Sequence, residues 1–309
     1  MILPPKATKP TMYFIGVTTT KSSIMKLYPL WAEVLGIGTT EIKGIDVEIH
    51  ADPQVYRDVV EFIKKDELSM GALVTTHKID LYNAAKDIFD CVRPYAEIFG
   101  ELSCIAKKDG RLEASAKDHI SSGLSMEAFV PKGYWKKHGG EAFIMGAGGA
   151  AIAISSNLLN KDKGDDVPSK LIISNRSQAR LTKINRSVDV EFHLTPEPEQ
   201  NDAILSKMKP HSLVINATGL GKDRPGSPLT DSCTFPENSL IWELNYRGEL
   251  DFMHQALRQK DEKHLHVEDG WIYFIHGWTQ VIGEIFDIDI RGRLFAEVER
   301  IANQWRQGS

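Results

Sequence analysis

The chain has 309 residues, of which 42% are hydrophobic and 26% charged, and a formal net charge of -5. That length suits two domains better than one core, and the charge balance gives no overall attraction to nucleic acid or to an anionic membrane. No stretch of about 18 apolar residues reads as a transmembrane helix. The opening MILPPKATKPT places two prolines before any apolar run, which is unlike a secretory signal. Three cysteines, Cys91, Cys104 and Cys233, are few, odd in number and far apart, a pattern that suits reduced thiols in a cytoplasmic compartment.

Along the first third, short apolar runs alternate with amphipathic ones. Residues 12–17 (MYFIGV) read as a buried strand and 24–35 as a helix with Ser22 or Ser23 as its N-cap. A strand is expected at 45–49, a helix at 55–64, a strand at 71–75 and a helix at 82–88. Residues 102–107 and 111–115 flank Asp109-Gly110, a two-residue hairpin signal. This order predicts an α/β layer with a mixed sheet. The polar stretch 131–140 (PKGYWKKHGG) breaks the pattern. Strands then follow at 143–145, 171–174, 213–216 and 240–244, with helices at 150–159 and 178–184 and a surface loop at 161–168. Such βαβ repetition predicts a parallel sheet.

Residues 141–152 read EAFIMGAGGAAI. Gly146-Ala147-Gly148-Gly149-Ala150-Ala151 fits G-x-G-x-x-A between a strand and a helix. The first glycine permits the tight turn, the second lets backbone approach a pyrophosphate, and the small third position lets helix and strand pack closely. A packing turn without a ligand has the same composition, so the strand–turn–helix context carries the reading. The next strand runs into Asn175-Arg176-Ser177, with Arg180 beyond. No carboxylate stands there to accept from a ribose 2′-hydroxyl, and a guanidinium can pair with a 2′-phosphate, which favours NADP over NAD. Both arginines would otherwise be a solvated helix face. Asn216-Ala217-Thr218-Gly219 follows the third strand at the edge where open α/β sheets bind ligands.

A dehydrogenase needs a group that moves a proton as the hydride moves. Lys78 ends the segment Val74-Thr75-Thr76-His77-Lys78, and Asp118 precedes a helix start about forty residues later. A lysine beside a carboxylate can do that work. His77, His119 and His276 lie near these motifs but show no metal-ligand spacing, so no metal is expected. Trp271, Tyr273, Phe274 and Trp278 lie at near-helical spacing, which reads as packing.

The ordered set of motifs resembles the shikimate dehydrogenase family (shikimate and quinate dehydrogenases). That family carries V-T-x-P-x-K, N-T-D, G-A-G-G-A, N-R-T/S and N-A-T in this order, and the matching positions here are Val74-Thr75…Lys78, Asp118, Gly146–Ala150, Asn175–Ser177 and Asn216–Thr218. The match runs from about Tyr13 to Phe286. The resemblance implies an α/β protein of two domains: an N-terminal substrate domain with a mixed sheet, residues 1–119 and 275–309, and an NADP-binding Rossmann domain, residues 120–274. The active site would lie in the cleft between them. It also implies hydride transfer between NADP and a cyclic hydroxy-carboxylate or polyol, with Lys78 and Asp118 as the catalytic pair. Ser22, Thr75, Ser103, Tyr246 and Gln280 would face the substrate, and both monomers and homodimers are compatible with it.

The departures lie in the substrate positions. The family's S-x-S looks like Ser22-Ser23-Ile24, and the lysine motif is one residue short and lacks its proline. Ser103 stands where the family has asparagine, and Ala116-Lys117 replaces N-T. A site that has lost polar partners binds the corresponding hydroxylated ligand poorly, so weak or no activity on shikimate and quinate is expected. Lys117 is either a contact for a differently placed anion or a solvated charge. The competing readings are a shikimate/quinate dehydrogenase with an altered grip, and a catalytically silent NADP-binding regulatory protein.

Overall fold

A computed structural model of the chain describes residues 3–181, 190–222 and 224–308. The chain divides into two compact units, Met1–Lys117 with Gly277–Ser309, and Asp118–His276. Among the described residues no helix is long and apolar enough to cross a membrane.

The first unit opens with β1 (Thr11–Gly16), α1 (Ile24–Val34), β2 (Glu41–Asp46), α2 (Pro53–Lys65), β3 (Ser69–Val74) and α3 (Lys78–Ala85). Then come β4 (Cys91–Val92), α4 (Pro94–Phe99) and the hairpin β5 (Cys104–Lys108) and β6 (Arg111–Ser115). The strand order is β2-β1-β3-β5-β6-β4. The first three run parallel, the hairpin is antiparallel to β3, and β4 is parallel to β6. Asp109 and Gly110 both have positive φ, 50° and 75°, the conformation a tight hairpin turn requires. At the start of α2, Asp52 accepts from the Gln54 N–H and Pro53 stands at the first turn, a capping pattern that satisfies orphan donors.

Two elements differ most from expectation. The second strand lies at Glu41–Asp46 rather than 45–49, because it pairs residue for residue with the buried strand β1, from Thr11↔Glu41 to Gly16↔Asp46. Ile49, which the alternation had included, is exposed. The helix expected at 82–88 begins at Lys78, and residues Lys86–Ile88 are a 3-10 turn. Ser23 occupies the N-cap position of α1, but its side chain makes no capping bond.

The second unit contains α5 (Asp118–Glu127), α6 (Tyr134–His138), β7 (Ala142–Met145), α7 (Gly149–Leu158), β8 (Leu171–Asn175) and α8 (Gln178–Leu181). It continues with β9 (Val190–Leu194), α9 (Pro198–Leu205), β10 (Leu213–Asn216), β11 (Leu240–Glu243), α10 (Asp251–Lys263) and β12 (His266–Glu268). Of the helix expected at 178–184, residues 182–184 lie outside the described residues. The stretch 131–140, expected to interrupt the pattern, includes α6, whose Tyr134 and Trp135 join the core.

All pairings in this sheet are parallel, in the order β12-β11-β10-β7-β8-β9. That is the doubly wound Rossmann order, with its switch point between β7 and β10. Alternate residues bury on opposite faces: Ile144, Ile173 and Ile215 in one cluster, Phe143, Ile172 and Val214 in the other. A parallel sheet covered on both faces accounts for its nearly continuous apolar strands. On one face α5 packs against α7. A Cβ at Gly123 would meet the Asn157 side-chain amide, which would have to move aside.

Helix α11 (Trp271–Phe286) belongs to the second unit through His276 and to the first from Gly277, and α12 (Gly292–Gly308) lies against α1.

Candidate active site

The glycine-rich turn sits at the switch point. Gly146 has φ +116°, and a Cβ there would come within 2.5 Å of the Ala217 carbonyl oxygen. Glycine is therefore required twice over, by conformation and by the close passage of the chain that leaves β10. Gly148 is the N-cap of α7 and has no atom within 4 Å of its missing side chain. Gly149 and Ala150 begin the helix, which has no side-chain cap and no acidic residue in its first turn. Unopposed N–H groups at a helix N-terminus attract anions. This cradle fits the pyrophosphate of a dinucleotide.

At the end of β8, Asn175 donates from Nδ2 to the Ser177 carbonyl at 3.2 Å, closing the turn. Arg176 is exposed beside it, and no carboxylate occupies 175–177. The Arg180 side chain lies outside the described residues.

Asn216 and Thr218 turn inward. Asn216 Oδ1 accepts from the Thr218 N–H at 3.1 Å and from its hydroxyl at 2.7 Å, and Thr218 Oγ1 accepts from the Leu220 N–H at 3.2 Å. These side chains shape the loop after β10. Beside them stands Glu243, a residue the sequence reading passed over. It is fully buried at the end of β11. Its carboxyl accepts from Asn216 Nδ2 at 2.7 Å, from the Asn245 N–H at 2.8 Å and from Asn245 Nδ2 at 2.7 Å. Burial pushes its pKa up to about 7 against those hydrogen bonds. A carboxylate at a strand end between two asparagines, E-x-N after N-A-T, was the available signal.

Tyr246 follows on the same segment. Its ring lies 4.6 Å from that of Phe274 and 5.4 Å from that of Trp271. Tyr273 packs on Trp242, and in the first unit Trp278 meets Phe14 edge to face at 4.9 Å. The late aromatic segment is thus packing, as its spacing indicates. Burial drives His276 down to about 4 and holds it neutral.

In the first unit, Lys78 is the half-buried first residue of α3. Before it the chain makes a tight turn: Thr76 has φ +29°, and the His77 N–H donates to the Thr75 carbonyl. His77 is buried with Nδ1 3.2 Å from the Tyr56 hydroxyl, and burial lowers its pKa. Thr75 Oγ1 donates to the Ile15 carbonyl at 3.3 Å. In the second unit, Asp118 is the buried first residue of α5. Both candidate acid–base residues therefore open a helix that follows a strand.

The substrate candidates fare unevenly. Ser103 Oγ accepts from the Lys117 N–H at 2.7 Å. Lys117 Nζ pairs with Glu284 at 2.7 Å, and Lys108 reaches the same carboxylate at 3.2 Å. Of the two readings of Lys117, anion contact or solvated charge, neither included this pairing: its charge already has a carboxylate partner. Ile24, at the position of the second serine of S-x-S, is fully buried in the core of the first unit. Ser22 is half-buried beside it, and Gln280 lies half-buried on α11. Burial pushes the thiols of Cys104 and Cys233 up to about 12 and about 11, so neither is a thiolate at neutral pH.

No family model matches the chain. It is similar to the shikimate dehydrogenase (NADP(+)) of Lactococcus lactis subsp. cremoris, at 27% identity over 179 residues, which covers 55% of this chain and only 59% of that protein. Against the shikimate dehydrogenase (NADP(+)) of Symbiobacterium thermophilum the identity is 27% over 235 residues, 72% of this chain and 74% of that one. The fold is that of the shikimate dehydrogenase from Aquifex aeolicus, with a TM-score of 0.74 at 17% identity over 97% of this chain and 99% of that one. The quinate dehydrogenase of Corynebacterium glutamicum, in complex with NAD, gives a TM-score of 0.69 at 18% identity over 97% and 99%. Relatives by sequence and neighbours by structure are thus shikimate and quinate dehydrogenases at low identity.

Proposed function

We propose that this chain, whose relatives by sequence are NADP-dependent shikimate dehydrogenases and whose fold is theirs, is an NADP-dependent oxidoreductase that acts on a CH–OH group. Its substrate is a cyclic hydroxy-carboxylate or polyol other than shikimate. The observation that carries the reading is the turn at Gly146–Ala150, pressed against Ala217 and open at an uncapped helix N-terminus. When bound, NADP would accept or supply the hydride. Gly146, Gly148, Gly149 and Ala150 leave room and N–H donors for its pyrophosphate. Arg176, where a ribose-binding carboxylate is missing, pairs with the 2′-phosphate. Lys78 and Asp118 manage the proton of the reacting oxygen, one donating while the other holds the charge. Ser22, Thr75, Ser103, Tyr246 and Gln280 remain the residues assigned to substrate.

The argument against shikimate is chemical. The second hydroxyl of the carboxylate grip is replaced by buried Ile24, Ser103 is engaged by the Lys117 N–H, and Lys117 is neutralised by Glu284. The groups left to hold shikimate's carboxylate and hydroxyls are few. The test is a steady-state assay with NADP and a panel of shikimate, quinate and related cyclic hydroxy acids and polyols. Turnover is expected on a panel member other than shikimate. Efficient turnover of shikimate would overturn the substrate assignment. Tight NADP binding with no turnover on any member would instead favour a regulatory, non-catalytic protein.

A further inference from the structure

We propose that Glu243 is a positioning residue, whose carboxyl group fastens together the segments that follow β10 and β11. Its place at the carboxyl edge of the sheet makes it a shaper of the dinucleotide site, and only that consequence rests on the functional reading above. The geometry is one-sided. Each of its hydrogen-bonding neighbours among the described residues presents N–H: Asn216 Nδ2 to one oxygen, and the Asn245 N–H and Nδ2 to the other.

Neither amide can turn over freely. Asn216 Oδ1 already accepts two bonds from Thr218, and Asn245 Nδ2 also donates to the Leu220 carbonyl at 3.0 Å. The three donors therefore need an acceptor at both carboxyl oxygens. These bonds fill three of the four lone-pair positions, and an amide in place of the acid would set NH2 against N–H. Two independent segments, 216–220 and 243–246, are held by this one group. Gly270 closes a third side, where a Cβ would run into the Leu244 carbonyl, and its N–H donates to the Asn245 carbonyl at 3.0 Å.

The surroundings oppose the charge that the donors want. Burial raises the pKa of Glu243 to about 7, and Asp269, the charged group facing it from the segment before α11, pushes the same way. Because the closed site raises this pKa, opening it releases a proton, so the fastening loosens as pH rises through neutrality and is firmest below it.

The test is amide hydrogen exchange together with NADPH fluorescence binding, on wild type and Glu243→Gln. At about pH 8 the variant is expected to lose about tenfold in protection at the Asn245 and Thr218 N–H groups and about tenfold in NADPH affinity, the size of one lost charge-assisted hydrogen bond. In wild type, protection at Asn245, corrected for intrinsic exchange, is expected to rise about tenfold from about pH 8 to about pH 6, because opening re-solvates Glu243 and releases its proton, and this dependence should vanish in Glu243→Gln. A purely structural side chain would not produce it. Exchange is read without cofactor, so a wild type that bound no NADPH would count against the functional reading while the exchange arm still decided the role of Glu243. Should Glu243→Gln not fold, the wild-type pH dependence and Glu243→Asp, which keeps the charge, decide the matter. Protection in wild type that is flat or that increases with pH, or wild-type protection in Glu243→Gln, overturns the proposal.

Discussion

Two turns, one in each unit, leave the carboxyl end of a central strand and enter a helix: β7 into α7, and β3 into α3. The first is built from glycine, with Gly146 at φ +116° against the Ala217 carbonyl. The second is built from Thr75-Thr76-His77, with Thr76 at φ +29° and His77 buried. Both are tight, but only one exposes bare backbone. A turn that receives a phosphate must present N–H groups without side chains in the way. A turn that only carries a side chain such as Lys78, proposed above as an acid–base group, can keep its side chains and tolerate strain, which for a non-glycine left-handed residue is about 1–2 kcal/mol.

Four substitutions bear on that contrast, from the largest expected effect to the smallest. Lys78→Ala should reduce turnover by about 10²–10⁴-fold, the range for loss of a general acid–base group, while NADPH affinity measured by fluorescence stays unchanged. Normal turnover in this variant would sink the assignment of Lys78. Gly146→Ala must place a methyl group against the Ala217 carbonyl in a left-handed conformation. It should cost about 2–3 kcal/mol in urea-unfolding stability and abolish measurable NADPH binding. A variant as stable as wild type would mean the turn tolerates a side chain. Arg176→Ala should weaken NADPH by about tenfold, one charge-assisted contact, and leave NADH nearly unchanged. Equal losses for the two cofactors would remove the basis for preferring NADP. Thr76→Gly relieves a left-handed threonine but adds unfolded-chain entropy of about 0.5–1 kcal/mol, so a net gain under about 1 kcal/mol in the same urea assay is expected. A loss exceeding that would show that Thr76 does more than bear strain.

The contrast also explains what could be read from the sequence. Glycines at fixed spacing announce a backbone requirement, so the turn after β7 and its strand–helix context were legible in EAFIMGAGGAAI. The parallel sheet followed from apolar runs buried on both faces. Strand β2 was misplaced because its polar residues Glu41–Asp46 are strand only by pairing with β1, a tertiary preference that local alternation does not encode. The two-residue strand β4 and the polar edge strand β12 had too little pattern to detect. Motif order pointed to Lys78, Asp118 and Asn216. It did not reveal that Ser103 holds the Lys117 backbone or that Glu284 pairs with Lys117, because both partners are distant in sequence. Glu243 was missed for a similar reason: burial and three convergent N–H donors, not its position in a motif, make it unusual.

The packing of α5 against α7 has a bearing on modular exchange. Asp118 opens α5, the glycine turn opens α7, and both helices lie in the unit Asp118–His276. Their separation is thus an internal dimension of one body, fixed by helix packing. A chimaera that replaced residues up to Lys117 and from Gly277 onward with those of a relative would import a new Lys78 neighbourhood and a new substrate grip. It would inherit Asp118 already registered to the glycine turn, so, on the function proposed above, substrate preference could be transplanted without resetting that half of the site.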